Sequence, residues 1–249
     1  MLRVFRKLVF LLLMAAPLVA TPLSQWTISF EVASIRQNHS GSPNTNIGML
    51  AGGRFEVVNA TLKTLIRNAY DVLGFQLVGG PSWLDTEYYD IEAKTQDPGE
   101  LTKENLPKLL QSLLADRFRL NTHWETRDGA VYSLTIDHNG PKFGPSTSTA
   151  QPGMNTSKRP GRAKMIGVSQ PMSLLASNLG NQLGRYVLDQ TRLRGEYDFS
   201  LEWDPDQTAE SNLPSIFAAV QESLGLKLEA TRGPMPVLVI DRAEKASQN

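Results

Sequence analysis

The chain has 249 residues, no cysteine, and equal numbers of basic and acidic side chains, 25 of each. The absence of cysteine excludes disulfides, thiolate metal sites and cysteine nucleophiles. The balanced charge argues against nucleic acid as the main partner, because phosphate binding requires a basic excess. An apolar fraction of 41% is sufficient for a hydrophobic core.

The first residues predict a secretory signal peptide over residues 1–22. A basic segment is followed by an apolar run, and Ala16 or Ala20 offers the small residue of a cleavage position, the order that is typical of such leaders. The alternative is an uncleaved anchor, but the run is broken by Pro17 and is shorter than the roughly 20 apolar residues that a spanning helix needs. We therefore expect a periplasmic or secreted protein, which meets the membrane only through the leader if that leader is not cleaved.

The residues after the leader predict a first α+β unit over residues 23–140, with an N-terminal strand extension. Alternating side chains predict a strand over residues 26–35, and Gly52-Gly53 predicts the turn of a β-hairpin. Apolar residues at spacings of three and four then predict helices over residues 61–73 and 102–115.

Both halves of the chain end in a predicted hairpin. In the first half, residues 118–124 and 131–137 alternate, and Arg127-Asp128-Gly129 predicts a turn between them. In the second half, residues 226–230 and 237–241 have the same pattern, with a turn predicted at Gly233-Pro234.

The segment between the halves has a different composition. Residues 141–163 are rich in Gly, Pro, Ser, Thr and Lys and have almost no apolar periodicity. Such a segment predicts a flexible linker. A second α+β unit is then expected over residues 164–249.

The two halves share residues in the same order, which predicts an internal repeat. Tyr89-Asp90 matches Tyr197-Asp198, and Leu106-Pro107 matches Leu213-Pro214. The alternative is that any two α/β stretches can be brought into partial register. A repeat predicts an α+β fold of two tandem units, each strand–helix–strand, strand–helix–strand with a small mixed sheet. An open edge of such a sheet could accept a strand from a partner.

Several blocks of the chain are specific enough to indicate a family, among them GRFEVVNATLKTLIRNAYDV, LLADRFRLNTHWETR and VLDQTRLRGEYDFSLEW. They resemble a family of secreted bacterial proteins of unknown function that is abundant in soil bacteria. The resemblance covers nearly the whole chain after the leader and implies export. It supplies neither an activity nor catalytic residues. Related domains follow an antirepressor-type membrane metallopeptidase in some proteins, which implies sensing or signalling outside the membrane.

Each half is also similar to the short N-terminal domain of secretins and TonB-dependent receptors. The similarity lies in the order of strands and helices and in a helix that ends near Leu224-Gly225-Leu226, and not in diagnostic residues. Those domains are protein-interaction modules of the periplasm. The resemblance therefore implies a protein partner in the cell envelope.

The sequence offers no recognisable catalytic or metal-binding motif. Its three histidines, His39, His123 and His138, form no His-Glu-x-x-His motif and no pair at helical spacing. The serines lack the strand–turn–helix context of a Gly-x-Ser-x-Gly nucleophile. We therefore expect neither a metal nor a cofactor, and we assign no catalytic residue.

Asp90 and Asp198 have two interpretations, because each follows a tyrosine at a matching position. Two carboxyl groups about 5 to 10 Å apart across a cleft would suit a glycosidase. The interpretation that we favour is a role in the fold, with the tyrosine packed and the carboxylate hydrogen-bonded at a strand or turn.

A contact surface is expected around the predicted strand that contains His123. Arginine and tryptophan are frequent anchors of binding surfaces. The residues selected on this ground are Trp83, Tyr88, Arg117, Arg119, His123 and Trp124, and Arg127 adjoins the same predicted strand. A solvated sheet face would explain the same residues without a partner.

These observations favour an exported α+β protein that binds an envelope protein or peptide and catalyses no reaction. Two alternatives stay open. One is an exported hydrolase whose carboxylates or histidines converge only in three dimensions, and the other is an extracytoplasmic sensory domain. The sequence does not indicate an oligomeric state.

Overall fold

The computed structural model describes residues 28–206 and 212–246. Within these ranges the chain forms four α-helices and eleven strands in three small sheets, which confirms the α+β class. The predicted signal peptide at residues 1–22 lies outside the described residues. None of the helices in the described ranges has the length and apolar character needed to cross a membrane.

After the first strand, the elements of the first half recur in the same order in the second half. The first half contains β1 (Val32–Asn38), β2 (Asn46–Leu50), β3 (Arg54–Thr61), α1 (Leu62–Tyr70), β4 (Leu77–Gly79), β5 (Tyr88–Lys94), α2 (Leu106–Arg117) and β6 (Asn121–Ile136). The second half contains β7 (Gly153–Arg159), β8 (Arg162–Gln170), α3 (Met172–Leu183), β9 (Val187–Asp189), β10 (Tyr197–Trp203), α4 (Ile216–Leu224) and β11 (Leu226–Arg242).

Local sequence accounts for the first hairpin and the first helix. Gly52 and Gly53 both have positive φ, 77° and 73°, as a tight hairpin turn between β2 and β3 requires. Thr61 caps α1, because its hydroxyl accepts a hydrogen bond of 3.2 Å from the backbone N–H of Thr64. The helix buries the predicted stripe on one face, formed by Leu62, Leu65, Ile66 and Ala69.

The strands form two antiparallel sheets and one mixed sheet. The antiparallel sheets have the orders β1-β5-β3-β2 and β10-β8-β7. The mixed sheet has the order β4-β11-β6-β9, with β4 parallel to β11 and β9 parallel to β6. Each half therefore contributes strands to the mixed sheet, instead of forming one mixed sheet of its own.

The predicted terminal hairpins are wrong, because β6 and β11 are continuous strands. They pair antiparallel from Leu226 opposite Ile136 to Ile240 opposite Thr122. The two predicted turns meet at the centre of this ladder, where Gly129 lies opposite Gly233. Pairing along the whole length satisfies the backbone groups that β6 and β11 direct at each other, and this outweighs the local turn preference of Gly and Pro.

The pairing of β6 with β11 places the C-terminal end of each strand in the hydrophobic core that is formed mainly by the other half of the chain. The first core joins β1, β3, β5, α1 and α2, and it also buries Leu238 and Ile240 from the last strand of the chain. The second core joins β8, β10, α3, α4 and the start of β11, and it buries Leu134 from the end of β6. Each core is therefore completed by residues from the other half of the sequence.

The segment predicted as a flexible linker, residues 141–163, contains regular structure. Gly153–Arg159 is strand β7, and it pairs antiparallel with β8 along its whole length. Phe143 also packs edge-on against Tyr197, with ring centroids 5.3 Å apart. The prediction failed because an edge strand is held by backbone hydrogen bonds and needs no apolar alternation on its exposed side chains.

Candidate functional site

Asp90 and Asp198 accept backbone hydrogen bonds at equivalent β-bulges in the two antiparallel sheets. The Asp90 carboxylate accepts hydrogen bonds from the backbone N–H of Asn59, at 2.9 Å, and from Asn38, at 2.7 Å. The Asp198 carboxylate accepts bonds from the backbone N–H of Ser169, at 2.8 Å, and from the Ser146 hydroxyl, at 2.7 Å.

Both carboxylates lie opposite a shift of register, where Asn59 and Ser169 have left-handed backbones with φ of 55° and 50°. The adjacent Tyr89 and Tyr197 are buried. A carboxylate that satisfies an N–H group at a bulge has a structural role. This arrangement supports the fold interpretation of the two Tyr-Asp pairs over the glycosidase interpretation.

Four of the residues predicted for the contact surface lie on separate elements. Trp83 belongs to a short 3-10 turn, Ser82–Asp85, and packs partly buried against the first core. Tyr88 begins β5 and is partly exposed. Arg117 ends α2 and donates to the Ala33 carbonyl at 3.1 Å, and the exposed Arg119 follows it with φ of 49°.

His123 and Trp124 are neighbours on β6, and their side chains point to opposite faces of the sheet. Trp124 lies opposite Leu238 in the ladder, so it shares the face that packs on the first core. It stands at the edge of the sheet, however, and is 53% exposed.

On the other face, His123 is the centre of a chain of ionic contacts. Its Nδ1 lies 3.0 Å from a carboxylate oxygen of Asp241 on β11, and its Nε2 lies 3.0 Å from Glu125 Oε1. Arg127 Nε donates to the second oxygen of Glu125 at 2.8 Å. We call these four residues, Asp241, His123, Glu125 and Arg127, the ionic chain.

The hydrogen bonds of the ionic chain shift the pKa values of His123 and Glu125 so that the charged form of each residue is favoured. Hydrogen bonds to Asp241 and then to Glu125 raise the pKa of His123. Hydrogen bonds from His123 and then from Arg127 lower the pKa of Glu125. Glu125 and Arg127 can be recognised in the sequence because they alternate with His123 along one strand, whereas Asp241 could be found only from the register of the ladder.

The ionic chain does not have the arrangement of a catalytic base. Both ring nitrogens of His123 are occupied by carboxylates on an open sheet face, which leaves neither nitrogen directed at a substrate. Among the described residues no group of three or more histidines and carboxylates is placed to hold a metal ion. No enzymatic site is evident in the described part of the chain.

In the described part of the chain, no strand pairs with the side of β6 that faces away from β11 over residues 121–130, so this side is an open strand edge. Beside it, β9 pairs only with Tyr132, Ser133 and Leu134. Tyr132 donates its N–H to the Tyr186 carbonyl, and the Leu134 carbonyl accepts from Gln190, so even-numbered residues direct their backbone groups outward. The register of the β6–β11 ladder is unbroken from residue 122 to residue 136. The same orientation therefore applies to Thr122, Trp124, Thr126, Asp128 and Ala130.

The corresponding edge of β11 is closed by proline. Where a residue of β6 directs its backbone groups away from β11, the residue opposite it directs its own backbone groups away from β6. Two such residues of β11 are Pro234 and Pro236. Proline has no N–H to donate. The Pro236 carbonyl is already bonded to the Gln76 side chain, at 3.0 Å. Proline on an outward edge prevents pairing with another strand, and β6 has no proline at its equivalent positions.

The sequence of the chain identifies the protein family to which it belongs. Residues 63–243 match the model of a family described as protein of unknown function, DUF3738. The chain belongs to the DUF3738 family. The matched DUF3738 region begins in α1 and ends just after β11, so it contains the open edge of β6, the ionic chain and both prolines of β11. No curated protein and no solved structure matches the chain.

Proposed function

We propose that this protein binds an extended polypeptide segment, which adds a strand to the mixed sheet along β6 between Thr122 and Ala130. The observation that carries the proposal is the row of outward backbone N–H and C=O groups on that edge, next to an equivalent edge that prolines close. Strand addition derives its affinity from such main-chain hydrogen bonds. The partner in this proposal is a segment of an envelope protein.

The side chains of β6 provide the means of selecting the segment. On one face, an apolar side chain of the added strand would pack beside Trp124, which shares that face with Leu238. On the other face, alternate side chains would meet His123, Glu125 and Arg127. Because successive side chains of a strand point to opposite faces of the sheet, each face would contact every second residue of the bound peptide.

Charged residues also protect sheet edges against unwanted pairing, and Glu125, Arg127 and Asp128 could serve only that purpose. Such protection does not explain Trp124, because an exposed aromatic side chain on an open edge favours association. The exposed tryptophan therefore favours a binding edge over a protected one.

Thr126→Pro tests the proposal, because it removes one outward N–H that the β6–β11 ladder does not use. Peptides selected from a phage-displayed random library on the protein lacking residues 1–22 should bind Thr126→Pro at least about tenfold more weakly than Thr126→Ala. Equal binding to both variants would overturn the proposal. So would the failure of the folded protein to enrich any peptide.

We further propose that the protein is exported and that its halves arose by duplication. The leader pattern of residues 1–22 supports export. The shared order of elements and the matching bulges at Asp90 and Asp198 support duplication. Sequencing the N-terminus of the protein from its native host tests export, which predicts a start near residue 23 and is contradicted by a start at Met1.

A further inference from the structure

The hairpin of β7 and β8 concentrates positive charge in a chain whose formal charge is zero. Its residues 157–164 read SKRPGRAK and contain no acidic side chain. Arg159 lies opposite Arg162, and Ser157 lies opposite Lys164. Because side chains alternate along a strand, these four residues share one face of the sheet, opposite the face on which Ala163 and Met165 are buried.

The four residues, Ser157, Arg159, Arg162 and Lys164, line a shallow cavity of about 200 Å³. Glu202 lies on this face and forms ion pairs with Arg162 at 2.6 Å and with Lys164 at 2.8 Å. A second carboxylate, that of Asp206, accepts a hydrogen bond of 3.1 Å from the Gly161 N–H at the turn of the hairpin. Arg159 forms no ion pair with any residue of the described ranges, so the face keeps an excess of positive charge. We name this surface, formed by the four lining residues, the cationic face.

An apolar side chain adjoins the cationic face. Ile166 follows Lys164 at the same-face spacing of two residues, and it is 41% exposed. Cationic side chains beside an exposed aliphatic residue match a membrane surface, where phosphate groups lie next to acyl chains. A soluble polyanion would require the charge but would leave Ile166 without a function.

We propose that the cationic face docks on the phosphodiester headgroups of an anionic phospholipid bilayer. One headgroup phosphate occupies the cavity between Arg159, Arg162 and Lys164, and Ile166 reaches the boundary of the acyl region. Arginine suits this role because its planar guanidinium donates two hydrogen bonds to one phosphate. The surface lies on the β10-β8-β7 sheet and so leaves the open edge of β6 in the mixed sheet free.

The test uses the protein lacking residues 1–22 and sedimentation with phosphatidylglycerol vesicles. The double variant Arg159→Gln, Arg162→Gln leaves Lys164 to pair with Glu202. A matched control, Lys103→Gln with Lys108→Gln, loses the same charge at two exposed positions near the start of α2. Each cation near an anionic surface contributes about 1 kcal/mol, so the double variant should partition roughly 30-fold more weakly while the control stays close to wild type.

Three results would overturn the proposal. Equal losses in the test variant and the control would reduce the effect to net charge. Equal partition onto phosphatidylcholine vesicles would show that the anionic headgroup is not recognised. Binding of inorganic phosphate, followed through the amide signals of residues 157–164, without sedimentation on vesicles would indicate a small-anion site in place of membrane docking.

Discussion

Thr126 of β6 and Pro236 of β11 lie opposite each other in the β6–β11 ladder, and each directs its backbone nitrogen away from the partner strand. One of these nitrogens carries a hydrogen-bond donor and the other does not. Over this stretch of the ladder, the outer edge of β6 carries both donors and acceptors, whereas the outer edge of β11 has no N–H donor at Pro234 or Pro236. This difference distinguishes the two edges of the ladder, although β2–β6 and β7–β11 follow the same order of elements.

The orientation of β6 predicts that proline is tolerated at one residue and disruptive at the next. Thr126→Pro removes only an outward N–H, so the free energy of unfolding should change by no more than about 1 kcal/mol. Glu125→Pro removes an N–H that bonds to β11, and it should cost about 3 kcal/mol or more. Urea denaturation of both variants measures the difference. Similar losses in the two variants would show that the edge is assigned to the wrong set of residues.

Because each core contains residues from the other half of the chain, we expect the two cores to unfold together. Leu238→Ala lies in the last strand but opens a cavity in the first core, and it should lower the free energy of unfolding by about 2 to 5 kcal/mol. Hydrogen exchange of the α1 and α3 amides should accelerate together in this variant. The exposed Glu229→Ala in the same strand is the control and should have little effect. Faster exchange in α1 alone would show that the cores are independent.

The bulges predict equal structural roles for Asp90 and Asp198. Replacement of either residue by alanine leaves a part-buried backbone N–H without its acceptor, which should destabilise the fold by about 1 to 3 kcal/mol. Glu92→Ala is the control on β5, because Glu92 is exposed and forms only a surface ion pair with Arg36. Thermal unfolding of the three variants measures the effect. A stable Asp90→Ala variant would remove the structural explanation and return this carboxylate to the candidates for chemistry.

The ionic chain predicts a specific dependence of stability on pH. The pKa of His123 is raised in the folded state, so its contribution is complete below the unfolded pKa near 6.5 and is lost as the pH rises through the folded value. The pKa of Glu125 is lowered, so its contribution is present above the unfolded value and disappears in acid. His123→Gln should therefore lower Tm more at about pH 5.5 than at about pH 8.5.

The matched control for this pH experiment is His39→Gln, which removes a histidine outside the ionic chain. Melting curves of both variants across the pH range give the comparison. A loss of Tm in His123→Gln that is the same at every pH would mean that the ion pairs to Asp241 and Glu125 do not form in solution.

Local sequence was sufficient wherever a local interaction decides the structure. The spacing of Leu62, Leu65 and Ile66 predicted α1, and Gly52-Gly53 predicted the hairpin of β2 and β3, because both depend on residues that are close in the chain. The same spacing arguments predicted the α+β class. The sequence also predicted an open strand edge and placed His123 and Trp124 on one strand, although it did not indicate which residues their side chains would meet.

Only the tertiary structure decided the features that depend on pairing between distant residues. Gly129 and Gly233-Pro234 have the sequence of turns, yet they lie in continuous strands because the backbone groups that β6 and β11 direct at each other pair along the whole ladder. The register of the ladder brings Asp241 next to His123. It also places Pro236 opposite Thr126, so that one outer edge of the ladder lacks a donor at the position where the other has one. Composition set how much apolar surface this chain could bury, whereas the long-range ladder determined which strand edge keeps its backbone groups free of the ladder.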